Sequence, residues 1–108
     1  MALKILIADD SAFMRSIIKN TLSQNGVTDI IEAVDGNDAI IKYGEIKPDL
    51  VFMDIMMPNK TGIEALKEIM SKDPNAKIVM CTSVGQEKVI QDAVEIGATD
   101  FITKPFKP

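Results

Sequence analysis

The stretch Leu50-Val51-Phe52-Met53-Asp54-Ile55-Met56-Met57-Pro58 runs four apolar residues into a carboxylate, with a proline four residues beyond it. An apolar run this short, introduced by Lys47-Pro48-Asp49, reads as a strand buried on both faces. Asp54 then falls at or just past the carboxyl end of that strand, on the edge where open parallel sheets bind ligands. By itself a strand-end aspartate more simply caps a loop or points into solvent. Three further runs change that reading. Leu3-Lys4-Ile5-Leu6-Ile7-Ala8 ends in Asp9-Asp10, Lys77-Ile78-Val79-Met80-Cys81 ends in Thr82-Ser83, and Asp100-Phe101-Ile102-Thr103 ends in Lys104-Pro105. In a parallel sheet those ends share one edge, so three acids, a hydroxyl and an amine converge on a single rim.

Between the runs the spacing turns helical. Ser11 to Leu22 predicts a helix whose face is Phe13, Ile17, Ile18 and Leu22, stopped at Asn25-Gly26 because glycine takes the left-handed C-cap conformation freely. Ile30-Ile31-Glu32-Ala33 is a short, weaker strand, and Asp35-Gly36-Asn37 opens a second helix with Ala39, Ile40 and Tyr43 on its face, ended by Lys47-Pro48. Thr61-Gly62-Ile63-Glu64 fits a capping box. It starts a third helix with the stripe Ile63, Leu66, Ile69 and Met70, closed by Asp73-Pro74-Asn75. Ser83-Val84-Gly85-Gln86 offers another capping box before a fourth helix bearing Val89, Ile90, Ala93, Val94 and Ile96, with Gly97 as its C-cap. Strand and helix alternate four times before a fifth strand, which specifies an α/β, doubly wound parallel sheet with helices on both faces. A helix that normally covers the last strand is not read in the sequence after Lys104, so one flank of the sheet is expected to be under-covered.

Composition narrows the chemistry. The 108 residues, 46% hydrophobic and 26% charged, suit one globular domain spanning residues 1–108. A formal charge of −4 gives no basic patch for nucleic acid, and no apolar run approaches membrane-spanning length, so the expected location is the cytoplasm. The absence of histidine excludes Ser-His and Cys-His catalysis and a histidine zinc site. Cys81, the single cysteine, lies in an apolar run and reads as a buried core thiol, and the seven methionines read as core filler.

The ordered set Asp9-Asp10, Asp54 with Met57-Pro58, Thr82, and Lys104-Pro105-Phe106 resembles the receiver domains of two-component response regulators. The segment Asp9-Asp10-Ser11-Ala12-Phe13-Met14-Arg15 is similar to the stand-alone chemotaxis, CheY-like type. The resemblance covers essentially the whole chain and implies a flavodoxin-like sheet of strand order 2-1-3-4-5. It implies that Asp54 is the phosphoacceptor, a carboxylate that attacks phosphorus to give an acyl phosphate. Asp9, Asp10, Asp54 and the backbone carbonyl of Met56 would hold Mg²⁺, an ion suited to a few carboxylates and several waters. Lys104 would pair with Asp54 at rest and with a phosphoryl oxygen afterwards, aimed by a cis peptide before Pro105. Thr82 would be the switch hydroxyl and Phe101 the switch aromatic, although plain core packing also accounts for a phenylalanine there. A receiver of this kind promotes its own phosphorylation and slow dephosphorylation and is not a turnover enzyme.

The same resemblance implies a histidine autokinase of a chemosensory array as phosphodonor. It implies a motility switch or adaptor protein as target, engaged through the fourth helix and fifth strand. Two chains pairing through the uncovered C-terminal flank is a further expectation. Met56 and Val84 stand two residues beyond Asp54 and Thr82, where the family often carries polar groups that orient water, so slow self-dephosphorylation is expected. Two rivals share the rim. A haloacid dehalogenase-like phosphohydrolase also uses a strand-end Asp, a Thr or Ser and a Lys, but needs an acid where Met56 stands. A phosphorylation-independent scaffold would have lost an acid or the lysine, and none is lost. A flavin module would need a Ser-, Thr- and Gly-rich phosphate loop after the first strand, which is missing.

Overall fold

The short apolar runs pair into one parallel sheet because each lies between helical segments long enough to carry the chain back across it. The computed structural model describes residues 3–82 and 87–103. The elements are β1 (Lys4–Ala8), α1 (Ala12–Gln24), β2 (Asp29–Ala33), α2 (Gly36–Ile46), β3 (Leu50–Asp54), α3 (Gly62–Lys72), β4 (Ile78–Thr82), α4 (Glu87–Ile96) and β5 (Asp100–Thr103). The five strands are all parallel, in the order β2-β1-β3-β4-β5. This is the expected doubly wound architecture, and β1 sits beside β3 at the point where the strand order reverses.

Alternation along each strand divides the core in two. Leu6, Ala8, Val51, Met53, Ile78 and Met80 face a cluster completed by Ala39 and Tyr43 of α2, Ala65, Leu66 and Ile69 of α3, and Ala93 of α4. Ile5 and Ile7 face the other way onto Ile18 of α1, with Leu22, Leu50 and Phe52 packed around them. Among the described residues α1 is the only helix on that second face, and all four residues of β5 are exposed.

The caps follow the sequence closely. The hydroxyl of Ser11 accepts from the Met14 amide, Asp35 accepts from Asp38, and Thr61 and Glu64 form the capping box in full. Hydrogen bonds from backbone amides hold the carboxyls of Asp35 and Glu64 below the usual carboxylate range. Gly26 and Gly97 take positive φ after α1 and α4. Three assignments of side chains to the core are corrected. Phe13 is 73% exposed, Val94 54% and Met56 65%. Phe13 and Val94 lie on helices whose apolar spacing continues past the surface their neighbours cover, and Met56 lies in the loop after β3. The Ser83–Gln86 capping box lies outside the described residues.

Candidate functional site at the carboxyl edge

Register places the acids side by side. Ala8 pairs with Met53, so Asp9 follows β1 at the level of Asp54, the last residue of β3. Asp54 in turn pairs with Cys81 of β4, and Thr82 stands one residue further along. Asp9, Asp10 and Asp54 each bring a carboxylate oxygen to within 4.8 Å of the others. Asp9 and Asp54 are buried, at 1% and 7% exposure, while Asp10 is exposed. Like charges this close repel by roughly 3 kcal/mol per pair at an effective dielectric of about 20. An all-oxygen donor set that is partly buried and partly open to water has the chemistry of a Mg²⁺ site and not that of a zinc or copper site.

The surrounding backbone is tightly fitted. Beyond Asp54, the Ile55 amide donates to the Cys81 carbonyl at 3.3 Å, and the chain turns through Asn59 at φ 67° before α3 begins. The Gly62 amide donates to the Ile55 carbonyl at 2.8 Å. A Cβ at Gly62 would lie 2.0 Å from the carbonyl oxygen of Asp54, so only glycine lets α3 start directly beneath the strand end. Asn59 Nδ2 donates to Asp35 Oδ2 at 2.8 Å, tying this loop to the start of α2.

Asp9 is anchored at three points. Its amide donates to the Ala33 carbonyl at 3.1 Å, its Oδ1 accepts from the Ser11 amide at 2.9 Å, and its carbonyl accepts from Arg15 Nη1 at 2.6 Å. Arg15 also donates through Nε to Glu32 Oε1 of β2 at 2.9 Å. Sequence reading missed Arg15, because its partners come from an adjacent strand and a main-chain carbonyl that spacing cannot name.

Thr82 is 1% exposed, and its Oγ1 is buried with no hydrogen-bond partner among the described residues. Cys81 is buried, as expected of a core thiol. Phe101 is 44% exposed. Lys104, Pro105 and the peptide between them, and also Val84, lie outside the described residues.

Residues 5–108 match the response regulator receiver domain family. The chain belongs to that family. Over 108 residues this receiver is 49% identical to the chemotaxis protein CheY of Thermotoga maritima, covering 100% of this chain and 90% of that one. With CheY of Bacillus subtilis the identity is 52% over 107 residues, covering 99% and 89%. CheY in the CheX-CheY-BeF3-Mg complex of Borrelia burgdorferi superposes with a TM-score of 0.93 at 36% identity, over 97% of this chain and 80% of that one. The receiver is thus of the CheY-like chemotaxis type, and two-component signalling is its functional class. Among its described residues no helix is long and apolar enough to cross a membrane.

Proposed function

We propose that this chemotaxis receiver, a single cytoplasmic domain, accepts a phosphoryl group on Asp54 from a phosphohistidine of a separate kinase. The observation that carries the reading is the convergence of Asp9, Asp10 and Asp54 within 4.8 Å at the carboxyl edge. An oxygen of Asp54 attacks phosphorus, a P–O bond forms as the donor's P–N bond breaks, and the departing electron pair stays on the imidazole nitrogen, which takes a proton. The donor is external because this chain contains no histidine.

Asp9, Asp10, Asp54 and the Met56 carbonyl would hold Mg²⁺. Bound there, the ion supplies charge neutralisation for the carboxylates and for the transferring group. The Borrelia CheY complex contains Mg together with BeF3, which supports the same pairing of cation and phosphoryl-like group here. Asp9, pinned at its amide and carbonyl, presents its carboxylate to Asp54 from a fixed backbone. Lys104 would neutralise Asp54 before transfer and a phosphoryl oxygen after it.

Thr82 supplies the switch. A buried hydroxyl without a partner costs about 1–3 kcal/mol. A new acceptor oxygen on Asp54, one register step away, would repay that cost and draw Thr82 toward it. Phe101 pairs in register with Met80 and is exposed here, so an inward rotamer would bury a large ring once Thr82 moves. The phosphorylated state then differs from the resting one by contacts that only the phosphoryl group makes, the condition for a population shift on the α4 and β5 surface. With apolar Met56 beside the acceptor, hydrolysis is slow and the state persists.

Intact mass after incubation with acetyl phosphate tests the reading. The expected result is a labile, Mg²⁺-dependent gain of one phosphoryl group in the parent and none in Asp54→Asn. Sustained turnover of a generic phosphate ester without a labile adduct would instead favour the phosphohydrolase reading.

A further inference from the structure

Arg15 touches neither Asp10 nor Asp54 in any hydrogen bond described above, yet it holds the backbone on which two of the three acids are mounted. Its side chain is 13% exposed, and its guanidinium bridges an acceptor just beyond β1 to one on β2. Nη1 reaches the Asp9 carbonyl at 2.6 Å and Nε reaches Glu32 Oε1 at 2.9 Å. The bond to the main-chain carbonyl is charge-assisted, and one planar fork serves that carbonyl and a carboxylate at once. Its consequence is local. The Asp9 carbonyl lies in the same rigid plane as the Asp10 amide, so fixing that oxygen fixes the direction in which Asp10 leaves β1. Asp10 is exposed and sits just before the helix cap, so packing does little to set its position.

We infer that Arg15 is a positioning residue for the divalent-cation site: it orients the Asp9–Asp10 peptide so that both carboxylates meet Asp54. This rests on the Mg²⁺ reading of the acidic cluster. Charge and geometry make opposite predictions for its removal. Deleting a cation near a cation site should tighten Mg²⁺ binding by Coulomb's law. Losing the peptide's orientation should weaken it, as removal of outer-shell partners does in metal sites, by about tenfold or more. The sign of the change therefore separates positioning from bulk electrostatics.

The test is calorimetric titration of the metal-free protein with MgCl2, for the parent, Arg15→Met, Arg15→Lys and Glu32→Gln, with urea unfolding run on each. The expected result is a dissociation constant raised about tenfold in Arg15→Met. Arg15→Lys, whose ammonium is a point charge without the planar fork that aims the Asp9 carbonyl, should be raised less. Glu32→Gln leaves the Arg15–carbonyl bond in place, so it should lower the unfolding midpoint while binding Mg²⁺ within about twofold of the parent. Unchanged or tighter binding in Arg15→Met overturns the inference, as does a loss in Glu32→Gln equal to that in Arg15→Met. If Arg15→Met does not fold, Arg15→Lys carries the comparison, and parent-like binding there overturns it. A folded parent that binds no Mg²⁺ overturns the metal reading itself, a result distinguishable from all of these because it appears before any variant is compared.

Discussion

The two edges of the sheet treat polar groups in opposite ways. At the amino edge the Tyr43 hydroxyl donates to Asp73 Oδ2 at 2.8 Å, the Lys4 amide donates to Asp49 Oδ2 at 2.8 Å, and the Ile78 amide donates to Thr99 Oγ1 at 3.2 Å. Each is a polar group satisfied from within the chain. At the carboxyl edge three carboxylates crowd within 4.8 Å, and Thr82 Oγ1 is buried with no hydrogen-bond partner among the described residues. Both edges are made by the same strands, so the difference does not come from the fold. The amino edge pairs its polar groups one to one, whereas the carboxyl edge gathers like charges beside a buried hydroxyl, an arrangement that a cation and a phosphoryl oxygen can complement. Stability is conceded where function is placed, as expected where like charges crowd at a site.

Substitutions at each edge can break or sharpen that contrast. The largest effect is expected from Gly62→Ala, whose Cβ would meet the Asp54 carbonyl oxygen at 2.0 Å. Backbone cannot yield as a flexible side chain can, so urea unfolding should show a loss of about 3 kcal/mol. Phosphorylation should fall with it, because the strand end carrying Asp54 must shift. Parent-like stability would mean that α3 does not start under β3 as described.

Thr82→Val should act in the opposite direction. Replacing an unpartnered buried hydroxyl with a methyl group of similar shape should raise stability by about 1 kcal/mol. The same variant should no longer change the environment of Phe101 on phosphorylation, which fluorine NMR of labelled phenylalanine would read. A loss of stability would show that the hydroxyl is already satisfied, and the two edges would then be alike.

Tyr43→Phe is the matching change at the amino edge and should cost about 1 kcal/mol at neutral pH. Burial, with the neighbouring Asp73 carboxylate, pushes the Tyr43 hydroxyl from 10.0 up to about 12. A raised folded pKa gives stability that is fully present below pH 10 and is lost as pH rises through about 12. The gap between parent and Tyr43→Phe should therefore narrow across that window, and a gap constant with pH would remove the hydrogen bond from the account. The smallest effect is expected from Gly44→Ala in α2, where a Cβ meets nothing within 4 Å. Helix propensity alone should raise stability there by about 0.5–1 kcal/mol.

Much of this was legible before the fold was described. The run ending at Asp54, the alternation of strand and helix, the Thr61–Glu64 box and the glycines at 26 and 97 are local signals, and each has a local cause. The acids at positions 9, 10 and 54 were legible as a group because a parallel sheet brings all strand ends to one edge. Met56 was misread because residue type alone does not place a loop side chain, and Phe13 and Val94 were misread for another reason. Periodicity identifies an apolar face but does not say whether another element covers it, and here none of the described residues buries them. Arg15 and Gly62 were hidden differently. Their roles depend on a carbonyl of another element, and carbonyls carry no sequence identity.

The most direct measurement is to locate the phosphoryl group. Borohydride reduction of an acyl phosphate converts the aspartate that carried it to homoserine, which peptide mass mapping can place. After reaction with acetyl phosphate and Mg²⁺, homoserine at position 54, and at neither 9 nor 10, is the predicted result. Homoserine at Asp9 or Asp10 would contradict the account, because it would make a proposed cation-holding carboxylate the acceptor.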